Sequence, residues 1–198
     1  MDKFDVVVIG AGPGGYVAAI RSAQLGMKTA LVDRQWLGGV CLNVGCIPSK
    51  ALLKNAEVAH TLRERGTEFG FSLENLQLDY GAAVRSSRQV SNRLTRGIAL
   101  LMKKNDVTVV MGEARLIAKD QITVTGNDGT QMTLEADHII LATGSQPISL
   151  PGIPVDGEKV LTYKEAILQE KLPTSVIIIG AGAIGLEFST IWNSYGSQ

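Results

Sequence analysis

The sequence has no excess of either charge, since 19 Lys and Arg residues balance 19 Asp and Glu residues. Nucleic-acid-binding proteins usually carry a basic excess. It also has no apolar run near the roughly 18 residues that cross a bilayer. The first residues lack the basic segment and apolar stretch that are typical of a secretory signal. These absences predict a soluble, cytoplasmic protein that binds neither nucleic acid nor membrane.

Cysteine and histidine are scarce, with two of each. A structural zinc site takes four ligands, and neither His60 nor His138 lies at ligand spacing from Cys41 and Cys46, so no metal site is predicted. A structural disulfide over so short a loop would contribute only about 2 kcal/mol. Two interpretations stay open: a pair of inert buried thiols, or a redox dithiol.

A disulfide between the two cysteines would make a demand on the backbone. Positions i and i+5 of a regular helix place their Cα atoms roughly 8.7 Å apart. A disulfide tolerates less than about 7 Å. If Cys41 and Cys46 bond, the chain between them cannot be regular helix, and Asn43 and Gly45 are where we expect it to deviate.

Glycine is abundant, at 22 residues, and its placement is informative. A β-branched strand at 5–9, the turn Gly10-x-Gly12-x-x-Gly15, a helix at 16–25 and a strand at 29–33 form a βαβ unit, which predicts a parallel sheet. The three glycines stand where a dinucleotide-binding turn tolerates no side chain, and Asp33 is spaced to accept ribose hydroxyls. The alternative is a tight strand–helix turn that binds nothing.

A second copy of the same pattern lies near the end of the sequence. An apolar strand at 176–179 precedes Gly180, Gly182 and Gly185, and a helix follows to about 195. The acidic residue of this second unit is expected beyond Gln198. We therefore expect a truncated start of a second Rossmann-like domain.

The middle of the chain predicts a loop at 34–45, helices at 47–65 and 79–104, and strands at 107–110, 121–125, 132–135 and 138–142. Asn127-Asp128-Gly129 is a hairpin signal. These strands predict a small antiparallel layer that leads back into the main sheet. Prolines and glycines cluster at 146–157, which predicts a domain boundary between 1–150 and 151–198.

Four segments together resemble the pyridine nucleotide-disulfide oxidoreductases, and most closely their lipoamide branch. They are the glycine turn at 10–15, LGGVCLNVGCIPSKALL at 37–53, ATGS at 142–145 and GAGAIGLEF at 180–188. The resemblance implies an α/β fold, with a Rossmann-like FAD-binding domain followed by an NAD-binding domain. Many relatives have Thr where this sequence has Val40.

The resemblance implies FAD along the first turn, with Asp33 on the adenosine ribose. The remaining FAD contacts would come from Gly39, Cys41, Lys50, the backbone of Ala114, Thr143, Gly144 and Ser145. The NAD pyrophosphate would lie on Gly180, Gly182 and Gly185.

It also implies the chemistry. Cys41 would exchange with lipoamide, Cys46 would face the flavin, and Lys50 and Glu187 would form an ion pair beside it. The implied reaction is dihydrolipoamide plus NAD⁺ to lipoamide plus NADH through a Cys41–Cys46 disulfide.

The resemblance further implies a homodimer at full length and, as partner, a lipoamide-bearing protein of a 2-oxoacid dehydrogenase or glycine cleavage complex. This sequence lacks their later domains, so we expect a truncated chain that is inactive alone. Two alternatives remain: a relative of glutathione or mercuric reductase, and a non-catalytic flavin-binding fragment.

Overall fold

The structure is a computed structural model and describes residues 2–198. It contains five strands, β1 Asp2–Ile9, β2 Thr29–Asp33, β3 Thr108–Leu116, β4 Gln121–Gly126 and β5 Gln131–Leu141. Its helices are α1 Pro13–Gln24, α2 Gly39–Asn43, α3 Cys46–Glu64, α4 Tyr80–Lys104, α5 Tyr163–Ala166 and α6 Ala183–Tyr195, with a 3₁₀ turn at Gly66–Phe69.

The five strands form a mixed sheet that closes on itself as a barrel. Strand β1 lies parallel to both β2 and β5, and β2 lies parallel to β3. Strands β3, β4 and β5 are antiparallel neighbours. The prediction of an α/β fold whose antiparallel layer leads back into a parallel sheet is confirmed.

Two strands change partners along their length, and this closes the barrel. Residues 108–111 of β3 pair with β2, and residues 112–116 pair with β4. A Cβ on Gly112, at the change, would lie 2.5 Å from the carbonyl oxygen of Thr125. The absence of a side chain there allows the strands to approach each other closely.

Alternate residues of β2, β4, β5 and the second half of β1 fill the barrel, because side chains two apart point to the same face of a strand. The buried core consists of Phe4, Val7, Ile9, Ala30, Val32, Ile122, Val124, Leu134 and Ala136. On β1 and β2 the intervening Val6, Val8 and Leu31 are also buried. Since α1 packs against both strands, they are covered on both faces, as expected for parallel strands.

The chain divides into two compact units. The first contains residues up to Asn43 and residues 92–146, and so includes the whole barrel. The second contains residues 44–91 and 147–198. This division follows contacts rather than ligands, so the boundary between functional domains stays a prediction.

In the second unit α3 packs against α6. Buried residues recur at helical spacing on both helices: Leu52, Ala56 and Ala59 on α3, and Phe188, Ile191 and Trp192 on α6. The indole N–H of Trp192 donates a hydrogen bond of 3.0 Å to the hydroxyl of Tyr80. Burial raises the pKa of Tyr80 above its usual value.

Three local predictions differ from the structure. The predicted loop at 34–45 contains the short helix α2, and the two strands predicted at 132–135 and 138–142 are one strand, β5. The predicted strand at 176–179 is not a strand. Among the described residues, the only backbone hydrogen bond of this segment runs from the N–H of Val176 to the carbonyl of Gln198. The side chain of Ile177 is 93% exposed. Apolar residues make a strand only where a neighbouring strand pairs with them.

Among residues 2–198, no helix is both long and apolar enough to cross a bilayer.

Candidate dinucleotide and dithiol site

The first glycine turn connects β1 to α1, and its glycines meet different demands. Gly10 has φ of +104°, and a Cβ there would lie 2.1 Å from the carbonyl oxygen of Ala142. A Cβ on Gly15 would lie 1.7 Å from the carbonyl oxygen of Gly10. A Cβ on Gly12 would meet no atom within 4 Å. Gly10 and Gly15 are therefore required by the fold, whereas Gly12 leaves open space.

That open space lies at the beginning of α1. Gly12 is the N-cap residue, with φ −70° and ψ −178°, and no side chain accepts a hydrogen bond from this end of the helix. Pro13 follows in the first turn, where a missing N–H costs nothing. A helix N-terminus attracts anions through its N–H groups and its dipole. The turn is suited to a pyrophosphate.

The carboxylate of Asp33 lies at the end of β2 and bonds to the turn. Its Oδ2 accepts a hydrogen bond of 2.7 Å from the N–H of Ala11. Its Oδ1 accepts hydrogen bonds from the N–H groups of Gln35, at 2.8 Å, and Trp36, at 3.0 Å. A carboxylate offers roughly four lone-pair sites, so one site remains for a ribose hydroxyl.

The segment with the first cysteine lies against the same turn. Gly38 and Gly39 have φ of +84° and +58°, a region that favours glycine. A Cβ on Gly39 would lie 2.6 Å from the Cα of Gly12. Gly39 begins α2, which carries Cys41, so this close approach brings the cysteine-bearing helix to the glycine turn.

The helix breaks between the two cysteines. Cys41 lies half-buried in α2, and Cys46 is exposed as the first residue of α3. Gly45 separates the helices with φ −128° and ψ −119°, outside the helical region. Gly45 is one of the two residues where the sequence predicts a deviation if the cysteines bond, and the helix breaks there. Asn43 instead ends α2 and donates from its side-chain amide to the carbonyls of Leu37 and Gly39.

Lys50 and Glu187 form an ion pair within the second unit. Lys50 lies one turn after Cys46 on α3, and Glu187 lies in the first half of α6. The packing of α3 against α6 holds the two side chains together. The lysine side chain is 61% exposed and that of Glu187 is 23% exposed. The pair implied by the resemblance is present, and its position beside a flavin stays a prediction.

The other predicted FAD residues lie on β3 or directly after β5 in the first unit. Ala114 lies on β3, half-buried against the barrel core. Thr143, Gly144 and Ser145 are exposed after β5, where the N–H of Ala142 donates to the carbonyl of Ile9. In parallel sheets ligands bind outside the carboxyl ends of the strands, and Thr143, Gly144 and Ser145 lie there, after β5.

A pocket of about 460 Å³ opens beyond β2. Its lining residues are Arg34, Gln35, Glu113, Thr125, Gly126 and Asn127. No sequence motif marks these residues, although Arg34 and Gln35 directly follow Asp33, and Glu113 precedes Ala114. Their position next to two predicted adenosine contacts is the signal that could have found them.

The second glycine turn repeats the first at the level of the backbone. Gly180 has φ of +107°, and Gly182 is the N-cap of α6 with φ −75° and ψ 176°. A Cβ on Gly185 would lie 2.4 Å from the carbonyl oxygen of Gly180, and one on Gly182 would meet nothing within 4 Å. Gly182 thus leaves the same open space before its helix.

Residues 4–198 match the family described as pyridine nucleotide-disulphide oxidoreductase. The fold, with its mixed Rossmann-like sheet, and this match define a member of that class, and the chain belongs to the family.

It is a relative of the dihydrolipoyl dehydrogenases. The enzyme of that name from Mycobacterium tuberculosis is 49% identical over 196 residues, which are 99% of this chain and 42% of the relative. That of Chlorobaculum parvum is 45% identical over the same shares. The chain thus spans about 42% of the length of these curated relatives.

Comparison with solved structures supports the same family assignment. LpdA from Mycobacterium tuberculosis superposes with a TM-score of 0.89 at 27% identity, over all of this chain and 43% of that chain. RclA from Escherichia coli, described as an HOCl-induced flavoprotein disulfide reductase, superposes with a TM-score of 0.85 at 25% identity, over 100% of this chain and 42% of that chain. The resemblance inferred from the sequence is confirmed at the level of the family and its dihydrolipoyl dehydrogenase branch.

Proposed function

We propose that this chain is the FAD- and dithiol-bearing part of a flavoprotein that oxidises dihydrolipoamide with NAD⁺. The observation that carries the proposal is the contact of Gly39 with Gly12. It joins a redox-type cysteine segment to a turn suited to a dinucleotide.

The residues of the first unit fit FAD. Gly12 leaves space at an uncapped helix N-terminus, Asp33 retains an acceptor site, and the pocket beside Arg34 and Glu113 has room at the adenosine end. We assign the pyrophosphate to the turn at 10–15 and the ribose to Asp33. A bound flavin supplies the ability to accept two electrons from a dithiol and to pass them on as hydride.

The cysteines would perform thiol–disulfide exchange. A thiolate of dihydrolipoamide attacks Sγ of Cys41 in the oxidised pair and displaces Cys46 as a thiolate. The second substrate thiolate then attacks the substrate sulfur of the mixed disulfide and releases lipoamide and the Cys41 thiolate. Two electrons pass to the pair and two protons leave the substrate. Exchange at Cys41 needs an accessible sulfur, and Cys41 is half-buried, so part of its side chain is open to solvent.

The second glycine turn supports an NAD site. Its open position at Gly182 and the N-terminus of α6 would receive a second pyrophosphate, as the start of a second Rossmann-like domain. The ion pair with Glu187 holds the Lys50 ammonium one turn from Cys46. We propose that this positions the cation beside the electron-transfer path.

We extend the proposal to partners and location by the same resemblance. The dithiol would be presented by a lipoamide-bearing protein of a 2-oxoacid dehydrogenase or glycine cleavage complex, in the cytoplasm. The complete protein would be a homodimer. The identity of 45–49% to dihydrolipoyl dehydrogenases supports lipoamide over glutathione disulfide or mercuric ion.

The test is FAD titration of the purified chain, followed by two-electron reduction in the visible spectrum. We expect bound FAD and a long-wavelength band when two electrons reduce the disulfide. Cys46→Ser should remove the band. Cys41→Ser should show it before any reduction and lose it on reduction, because its Cys46 thiolate faces an oxidised flavin and no disulfide takes up the electrons. The Lys54→Gln variant, one turn beyond Lys50, is the matched control for Lys50→Gln, and only the latter should shift the band. If the chain binds FAD but its spectrum is unchanged by substitution of either cysteine, the dithiol assignment is refuted. If the chain does not bind FAD, the flavin assignment is refuted.

A further inference from the structure

Helix α4 has an unusual charge pattern for a chain with no net charge. Its 25 residues include no aspartate or glutamate. Its basic residues are Arg85, Arg88, Arg93, Arg96, Lys103 and Lys104. The last four lie in the half of the helix that belongs to the first unit.

These four cations lie on one exposed face. At about 100° per residue, Arg93, Arg96, Lys103 and Lys104 fall within an arc of about 100°, with Leu100 near its middle. All four cations are exposed, and Leu100 is 67% exposed. We call this set the basic face of α4.

The opposite side of the same helix half is buried. Ile98 is 8% exposed and Met102 is 1% exposed. The helix is therefore held by its inner side, and the basic face is not needed for packing.

No carboxylate of residues 2–198 forms an ion pair with the basic face. By contrast, Arg85 in the other half of α4 pairs with Glu170 and Asp79. Lys103 and Lys104 lie in the last turn, where cations stabilise the helix end. Arg93 and Arg96 lie two or more turns earlier, so that explanation does not extend to them.

We propose that the basic face of α4 docks a protein partner whose facing surface is acidic and has an apolar recess for Leu100. Arginine is enriched at protein interfaces, and an exposed apolar side chain within a charged rim is the usual arrangement of such a site. Complementary charge would steer the partner to this face and fix its orientation. The inference goes beyond the redox function and does not depend on flavin binding.

The same observations disfavour two other polyanions. A nucleic-acid site would draw on a general basic excess, and this chain has none. A helix that lies on a membrane inserts its apolar side into the lipid, and here that side is buried against protein.

The test is binding of the purified chain to immobilised poly-L-glutamate and a glutamate–tyrosine copolymer at low ionic strength. A short DNA duplex and phosphatidylglycerol–phosphatidylcholine vesicles serve as the competing polyanions. We expect binding to both polypeptides, tighter to the copolymer, and weakened by salt. The Arg93→Gln/Arg96→Gln variant should bind about threefold more weakly, since two exposed charge pairs with the polypeptide are lost.

The matched control is Arg115→Gln/Lys119→Gln, which removes the same charge from exposed positions of β3 and the following loop. This control variant should weaken binding to the polypeptides by less than about twofold, because it loses only the nonspecific attraction of two positive charges outside the basic face. Leu100→Ser should abolish the preference for the copolymer. Equal losses in both double variants, tighter binding to DNA or vesicles, or self-association of the chain that Arg93→Gln/Arg96→Gln abolishes would each overturn the proposal. Circular dichroism confirms that every variant is folded.

Discussion

The two glycine turns of this chain have nearly the same backbone but different surroundings. Gly10 and Gly180 have φ of +104° and +107°, and Gly12 and Gly182 are both extended N-cap residues. The first turn follows a strand that is paired on both sides. The second follows a segment that is not a strand. The turn therefore forms from its glycines and the helix that follows, without a sheet.

The difference lies in what each turn touches. A Cβ on Gly10 would meet the chain after β5 at 2.1 Å, whereas a Cβ on Gly180 would meet nothing within 4 Å. Asp33 accepts from the N–H of Ala11 in the first turn. No side chain of residues 2–198 accepts from the N–H of Ala181, its equivalent in the second. The first turn is integrated into a folded barrel, and the second is a local structure.

The largest expected effect comes from Gly10→Ala against Gly180→Ala. Gly10→Ala combines a left-handed backbone with a collision against the main chain at Ala142, so it should lower the free energy of unfolding by more than about 3 kcal/mol. Gly180→Ala meets only the backbone strain and should cost about 2 kcal/mol or less.

Hydrogen exchange measured by peptide mass spectrometry checks this, because it separates peptides of β1 and β2 from those of α6. Gly10→Ala should raise exchange in the barrel strands, and Gly180→Ala should raise it only around α6. Equal effects would mean that the second turn is as integrated as the first.

A smaller effect is expected for Asp33→Ala. Losing the acceptor of three backbone N–H groups should cost about 2 kcal/mol and loosen the first turn, with no change around the second. The control is Asp128→Ala, on the exposed hairpin of the same unit, where the carboxylate bonds only to Thr130 nearby. Urea unfolding compares the two variants, and a control as damaging as Asp33→Ala would show that the link to Ala11 contributes little.

The parts of the fold with local signals could be predicted from the sequence. The strand–turn–helix–strand order from Asp2 to Asp33 follows from a β-branched run, three glycines and an acid at the strand end, all within one βαβ unit. Helices α3 and α4 agree with the sequence within a residue or two. The geometry of the two cysteines predicts a deviation at Asn43 and Gly45 only if they bond, and the helix breaks at Gly45.

The remainder depends on contacts between distant segments. The prediction of a strand at 176–179 is wrong, because an apolar pattern does not show whether a neighbouring strand pairs with the segment. The closure of the barrel requires β3 and β5 to change partners midway, and Gly112 shows this only once Thr125 is known to lie beside it. The approach of Gly39 to Gly12 is likewise non-local, and only the family resemblance indicated it.

The smallest effect on stability, and the sharpest functional contrast, is expected for Gly12→Ala against Gly182→Ala. Both glycines have an ordinary φ, and a Cβ at either meets no atom within 4 Å, so each variant should change the free energy of unfolding by less than about 0.5 kcal/mol. If FAD lies on the first turn, the methyl of Gly12→Ala occupies the space of its pyrophosphate, and the dissociation constant for FAD should rise about tenfold. Gly182→Ala should leave FAD affinity unchanged, because its turn is assigned to the second nucleotide. Flavin fluorescence during titration measures both constants. An FAD affinity that Gly182→Ala lowers and Gly12→Ala does not would reverse the assignment of the two turns, while two unchanged affinities would place the flavin on neither.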